Sequence, residues 1–261
     1  MRLRSPGALD NAITMLTTVL YQLQDCRSGS GSEVHEKWLT WWERSADPVL
    51  RSVFADEDVV RSLYRTRNEV KRESAFADAT LAQRETEVWI ARFESLIAEL
   101  KALKPFIERP GQIIVPDTSA FIEGTYFTDF DWTSLDGLPA GTNLVRLVVP
   151  ILVIEELDGL KRDRRAGDRA RSVLHKLWEL HSRHPAIPVA LPGKPATIEV
   201  FPDDPWHIRR PVNDDEIIQR AAVIGEITGR GVVLAAGDYA MLYRADHEGV
   251  KAALVPPAGR V

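Results

Sequence analysis

The chain has 261 residues, 44% apolar and 27% charged, an ordinary globular composition that is long for one domain and comfortable for two. Its net charge of −5 excludes a global basic signature for nucleic acid, so any such contact must come from a local patch. The single cysteine, Cys26, excludes an internal disulfide framework and a cysteine-built zinc site.

No secretory leader and no apolar run of bilayer length is read along the chain, so the expectation is a cytoplasmic protein without a membrane partner. After Pro6-Gly7, Ile13, Leu16, Leu20 and Leu23 recur at helical spacing and predict a first helix. The stretch Ser28-Gly29-Ser30-Gly31-Ser32 breaks it. Ser30 and Glu33 then read as a capping box for a helix carrying Trp38, Trp41 and Trp42, punctuated at Asp47-Pro48. Another helix is expected from about Asp56 to Tyr64.

The longest periodic segment runs from about Ser74 to Lys104. There Trp89, Phe93, Leu96, Leu100 and Leu103 are spaced four, three, four and three. This heptad-like seam suits either the core of a small bundle or the interface of a homo-oligomer or protein partner. Residues 1–110 hold 16 basic and 17 acidic residues and no catalytic grouping. They are expected to form an all-α helical domain whose role the sequence does not state.

In this reading Pro105 ends the long helix, and Pro110-Gly111 marks a domain boundary. From 111 to 261 apolar runs alternate with amphipathic segments. Strands are predicted at Ile113–Val115, Leu144–Val149, Ile187–Leu191, Val232–Ala235 and Ala253–Val255. Helices are predicted from Ile151 to about Arg162, Asp168 to His184, Asp214 to Thr228 and Tyr239 to Ala245. Such alternation means an α/β fold with a mainly parallel central sheet. Pro188, Pro192 and Pro195 make the stretch around Thr197–Val200 a less regular excursion.

Acidic residues fall at the junctions of this pattern. Asp117 ends the first strand, in IIVPDTS, where open α/β sheets bind ligands. Glu156 lies on the helix after the second strand. Asp214 and Asp215 open NDDEII, and Asp238 ends a later strand. Taken singly, Asp214 and Asp238 suit helix N-caps, Glu156 a solvated position beside Glu155, and Asp117-Thr118-Ser119 a strand-to-turn corner. Taken together, carboxylates sharing a crevice repel one another unless a cation joins them. An all-oxygen set suits Mg²⁺ or Mn²⁺, one ion or two, and the chemistry it serves is water attacking a phosphodiester.

IIVPDTSAF, VVPILVIEELDGLK, NDDEII and VVLAAGDYAM, in that order, resemble the acidic motifs of PIN-domain nucleases. The resemblance covers about Gly111 to the C-terminus. It implies a Rossmann-like PIN domain that hydrolyses single-stranded or structured RNA as a metal-dependent endoribonuclease. By position it makes Asp117, Glu156, Asp214 and Asp238 the catalytic acids and metal ligands, with Asp215 as an alternative ligand to Asp214. Thr118 and Ser119 follow the first of these and are expected at the substrate. Two positions depart from the pattern: Ser119 stands where the first motif often has Asn, and Ala236 where the last often has a hydroxyl.

Lys161, Arg162, Arg164, Arg165, Arg169 and Arg171, against Asp163 and Asp168, give a local charge of +4 directly after the glutamate helix. The first five are candidate contacts to an RNA backbone, read independently of sequence. A salt-bridged helix face is the plainer account. His175, His181 and His184 do not share one helix face, and His207 beside Trp206 falls in a Pro-rich stretch that could be a substrate-side loop.

A dehalogenase-type phosphotransferase needs a second Asp where Ser119 stands, a receiver domain needs a later lysine, and no Gly-rich phosphate loop is present. The alternative of another class is a PIN fold kept as an RNA-binding or protein-interaction scaffold with little or no cleavage.

Overall fold

The structure is a computed structural model that describes residues 4, 9–54, 79–183, 188–203 and 207–257. The helix expected over Asp56–Tyr64, the start of the long helix near Ser74, and His184, Ile187 and Trp206 lie outside them. The chain divides into two compact units, Met1–Arg109 with Glu226–Thr228, and Pro110–Gly225 with Gly229–Val261.

The first unit is helical. Its helices are α1 (Leu9–Gln24), α2 (Gly31–Trp41), α3 (Asp47–Val53) and α4 (Ala79–Glu108). Ser30 opens α2 with the capping box expected of it: Glu33 N–H donates to Ser30 Oγ, and Ser30 N–H donates to Glu33 Oε2 at 2.7 Å. Asp47-Pro48 does not interrupt the chain. Trp42–Ala46 forms a π turn that runs into α3, where Pro48 occupies a first-turn position that needs no amide hydrogen. Pro105 likewise lies inside α4 and does not end it. It sits in the last turn, where the ladder bond it forfeits is one of few left to make.

The apolar seam of α4 is spent inside this unit. Trp89, Phe93, Leu96 and Leu100 are buried with Trp38, Trp41 and Trp42 in one core. Trp42 meets Trp89 edge-on at 5.1 Å between ring centroids, Trp38 stacks on Trp42 at 5.9 Å, and Trp41 Nε1–H donates to Val19 O at 2.9 Å. The aromatic cluster is therefore core, with offset and edge contacts typical of packed rings.

The second unit is a six-stranded sheet with helices around it. Its elements are β1 (Gln112–Pro116), α5 (Thr118–Ile122), β2 (Val145–Pro150), α6 (Ile151–Leu160), α7 (Gly167–Arg183), β3 (Val189–Ala190), β4 (Ala196–Phe201), α8 (Asn213–Thr228), β5 (Val232–Ala236), α9 (Tyr239–His247) and β6 (Ala252–Leu254). The strand order is β3-β4-β2-β1-β5-β6. All pairs are parallel except β3 with β4, so the sheet is mainly parallel, as the alternation implied. Ile113, Ile114 and Val115 of β1 and Leu147, Val148 and Val149 of β2 are fully buried, as central parallel strands with both faces covered require.

The stretch around Thr197–Val200 is the clearest departure from expectation. It forms β4, an inner strand in parallel register with β2 over six residues, Ala196↔Val145 to Phe201↔Pro150. Pro192 and Pro195 lie before the strand and not inside it, and Pro195 O accepts from Val145 N–H at 3.1 Å. Of the segment expected as a full strand, Ile187–Leu191, the described residues 188–191 contribute the two residues of β3, at the sheet edge.

The chain leaves β1 toward β2 and β4, then returns to place β5 on the other side of β1. That reversal puts a crevice beyond the carboxyl ends of β1 and β5, the place where such sheets bind ligands.

Arg146 on β2 and Glu199 on β4 form an ion pair inside this unit, 1% and 3% exposed, with Arg146 Nε–H and an Nη–H both reaching Glu199 Oε1 at 2.9 and 2.6 Å. Arg146→Ala removes the guanidinium from a buried carboxylate and is expected to cost about 3–5 kcal/mol in urea unfolding. Arg146→Met with Glu199→Leu is expected to lose much less. Equal losses in the two variants would mean that packing, not charge, dominates at this pair.

Candidate active site

Asp117 follows β1 and caps α5, where Ala120 N–H donates to its Oδ1 at 2.7 Å. Ser119 Oγ–H donates to the same carboxylate, at 2.7 Å to Oδ2. Ser119 Oγ accepts in turn from Gly237 N–H at 2.7 Å, which links the ends of β1 and β5. Asp238 is the next residue and caps α9, accepting from Met241 N–H at 2.9 Å.

Glu156 on α6 is held on both oxygens. Thr118 Oγ1–H donates to Oε2, and Asn213 Nδ2–H donates to Oε1 at 2.7 Å. Glu155 is committed elsewhere, to Arg209 at 2.5 and 3.0 Å, which separates the two adjacent glutamates. Asp214 lies one residue inside α8, whose N-cap is Val212, so Asp214 is not a cap. Arg244 of α9 stands 3.7 Å from Asp214 and 3.2 Å from Asp215.

The electrostatics tie the acids together. Asp117 is 4% exposed, and burial first of all raises its pKa from the usual carboxylate range to about 7, with Asp238 and Asp214 adding repulsion against the lowering effect of Ala120 and Ser119. Asp214 is also raised, chiefly by burial; Arg244 opposes the rise, and Glu156, Asp238 and Asp215 reinforce it. Asp117 thus lies in the field of Asp238 and Asp214, and Asp214 in that of Glu156 and Asp238, near the reversal point of the sheet. A buried carboxylate facing further carboxylates is a costly arrangement that a divalent cation relieves, although no three of these acids bring their oxygens within 4.8 Å of one another.

The basic residues are placed unequally. Arg162, Arg164 and Arg165 are exposed on the turn between α6 and α7. Lys161 pairs with Asp158, and Arg171 donates to Lys161 O and Asp168. Arg169 is turned inward, donating to Phe121 O at 2.9 Å and Gly124 O at 2.7 Å, with its guanidinium 4.7 Å over the Tyr126 ring. Its hydrogen bonds fasten α7 to the α5 turn.

His175 is exposed and His181 half-buried on α7, beside an apolar cavity of about 750 Å³ between α6, α7 and β4 that none of the four acids lines. His207 has a definite partner: its Nε2 lies 2.5 Å from Glu216 Oε1. Asp203, His207 and Glu216 are the one such group among the described residues whose ligand atoms all lie within 4.8 Å, and they could coordinate a divalent cation. Each acid already has partners: Asp203 meets Arg209 at 2.6 Å, and Glu216 Oε2 accepts from Arg210 N–H at 2.8 Å. This triad is invisible to a search for strand-end acids, because Asp203 and His207 fall in the Pro-rich stretch. Asn213 escapes the same search, although an amide directly before Asp214-Asp215 at a helix start is a recognisable signal. Arg244 carries none, being an ordinary charge late in a short helix.

A mainly parallel sheet flanked by helices, with Asp117 and Asp238 at the ends of two neighbouring central strands, defines a Rossmann-like α/β unit. Residues 114–255 match the PIN domain family, and the chain belongs to that family. A solved structure described as a domain of a functionally unknown protein from Methanocaldococcus jannaschii DSM 2661 is similar at 18% identity, over 57% of this chain and 95% of that one, with a TM-score of 0.38. No curated protein matches the chain. No helix among the described residues is long and apolar enough to cross a membrane. Family and candidate metal ligands together support a hydrolase centre of nuclease type.

The raised Asp117 pKa has a testable sign. The folded state holds this proton more tightly than the unfolded chain, so its contribution to stability is complete below about pH 4 and is lost as the pH rises through about 7. In EDTA, Asp117→Asn should therefore gain on the wild type as the pH rises, by up to about 4 kcal/mol at pH 8, in paired urea titrations. A difference that stays flat from about pH 4 to 8 would rule out this origin.

Proposed function

We propose that the protein is a metal-dependent endoribonuclease and that residues 111–261 carry the activity. The observation that supports this reading is the buried Asp117 carboxylate facing Asp238 and Asp214 beyond the carboxyl end of β1, with Asp214 in turn facing Glu156. Asp117, Glu156, Asp214 and Asp238 would hold Mg²⁺ or Mn²⁺, with Asp215 beside them. When bound, such an ion acidifies water and offsets charge on a phosphate.

The chain's own residues prepare that site. Ser119 and the Ala120 amide fix Asp117; Thr118 and Asn213 fix Glu156; the first turn of α9 fixes Asp238. Each donor holds one carboxylate in orientation without neutralising it. Thr118 and Ser119 therefore act on substrate through the acids they hold. The exposed guanidiniums of Arg162, Arg164 and Arg165 supply a surface for the RNA backbone that reads charge and not sequence.

A non-cleaving PIN scaffold is the second reading. The observation favouring it is Arg244, a fixed cation beside Asp214 and Asp215 that already offsets part of their charge.

Cleavage of a labelled RNA pool, with single-stranded DNA alongside, decides between them. Wild type in Mn²⁺ or Mg²⁺ is expected to cut RNA, and Asp117→Asn/Asp238→Asn to match the EDTA background. Asn213→Ala is expected to weaken metal binding by about 10- to 100-fold, measured by thermal shift against Mn²⁺, because it frees Glu156 on one side. Equal background in wild type and double mutant, with no metal-induced shift, would leave the scaffold.

A further inference from the structure

Helix α9 begins at Asp238 and turns Met241 and Ala245 into the core. Its opposite face carries Tyr239 and Tyr243, which are 66% and 76% exposed. Four residues apart on a helix, the two rings lie on one stripe with Cβ atoms about 5–6 Å apart. Neither ring nor hydroxyl has a partner among the described residues. An isolated exposed tyrosine needs no explanation, but two such rings in register on the helix that Asp238 caps form a surface. Beside them Arg244 reaches Asp214 and Asp215, so the stripe is continuous with the acid crevice.

From this placement we infer that Tyr239 and Tyr243 form a stacking platform for two unpaired bases of a single-stranded nucleic acid, next to the phosphate presented to the acids. The inference rests on the nuclease reading and narrows its substrate to strands whose bases are free. Flat aromatic faces accept any base, and Arg244 at their edge adds a cation for the phosphate between the bases. Asp246 and His247 share the exposed side of α9, and Asp246 would keep phosphates to the Arg244 edge.

The test uses the full chain in EDTA, where metal-dependent cutting is silent, and reads fluorescence anisotropy of a short labelled RNA strand, its duplex, and an abasic strand of equal length. Tyr239→Ala and Tyr243→Ala should each weaken binding of the single strand by about 5- to 100-fold. Tyr239→Phe and Tyr243→Phe should keep it, since stacking needs the ring and not the hydroxyl. The abasic strand and the duplex should bind all variants alike. Alanine variants that bind the single strand as wild type does would overturn the platform and leave this face to a protein partner. Wild type that binds no strand would overturn the nucleic-acid reading itself, and the platform with it.

Discussion

The close approach of Gly237 to Ser119 is the constraint on which the acid crevice depends. A Cβ at Gly237 would lie 2.4 Å from Ser119 O and 2.7 Å from Ser119 C, both backbone atoms that cannot step aside. Glycine alone allows the end of β5 to press against the turn after β1. That contact lets Gly237 N–H reach Ser119 Oγ, and the same oxygen donates to Asp117. Asp238 follows Gly237 directly, so one backbone contact fixes the acid of β1 against the acid of β5. The reversal in strand order supplies the crevice; this contact sets its width.

The four acids are held by different donors and none of them is satisfied by another. Asp117 takes a hydroxyl and an amide, Glu156 a hydroxyl and a side-chain amide, Asp238 a helix-start amide, and Asp214 only the distant guanidinium of Arg244. Such an arrangement orients Asp117, Glu156 and Asp238 through hydrogen bonds alone and leaves only Asp214 beside a cation. Structural ion pairs elsewhere in the unit look different: Arg146 and Glu199 meet directly, and so do Arg209 and Glu155. The contrast between paired acids and held but unpaired acids is what separates a site from a strut. By the same measure the Asp203–His207–Glu216 group, with its arginine and histidine contacts, resembles the strut more than the crevice does.

Much of this was legible in the sequence, for physical reasons that also explain the failures. β1, β2 and β5 announce themselves as short runs of β-branched residues, because a strand buried on both faces has no polar alternation to hide in. Asp117 and Asp238 were legible because they end strand runs and cap the helices that follow. β4 was not, because the prolines before it read as irregularity although their missing amides cost nothing ahead of the first ladder bond. Pro105 misleads in the same way, since a proline in a last turn forfeits little. Composition counts Arg169 toward a substrate patch; only the three-dimensional position of Phe121 O and Gly124 O shows that its fork is occupied. The seam of α4 has the periodicity of an interface and of a core, and sequence spacing alone cannot tell them apart.

Ala236 is the remaining departure from the motif pattern, and it occupies a position with no place for an unpartnered hydroxyl. Ala236 is fully buried in β5, its carbonyl accepting from Val255 N–H at 2.7 Å. A hydroxyl there would be a buried polar group needing its own partner. The hydroxyl at this junction comes instead from Ser119, on the β1 side, where the motif often carries an amide side chain. Serine is short enough to sit between Gly237 N–H and Asp117; a longer amide would have to displace one of the two. Ser119 Oγ thus bridges the two strand ends by itself, accepting from Gly237 N–H and donating to the buried acid of β1.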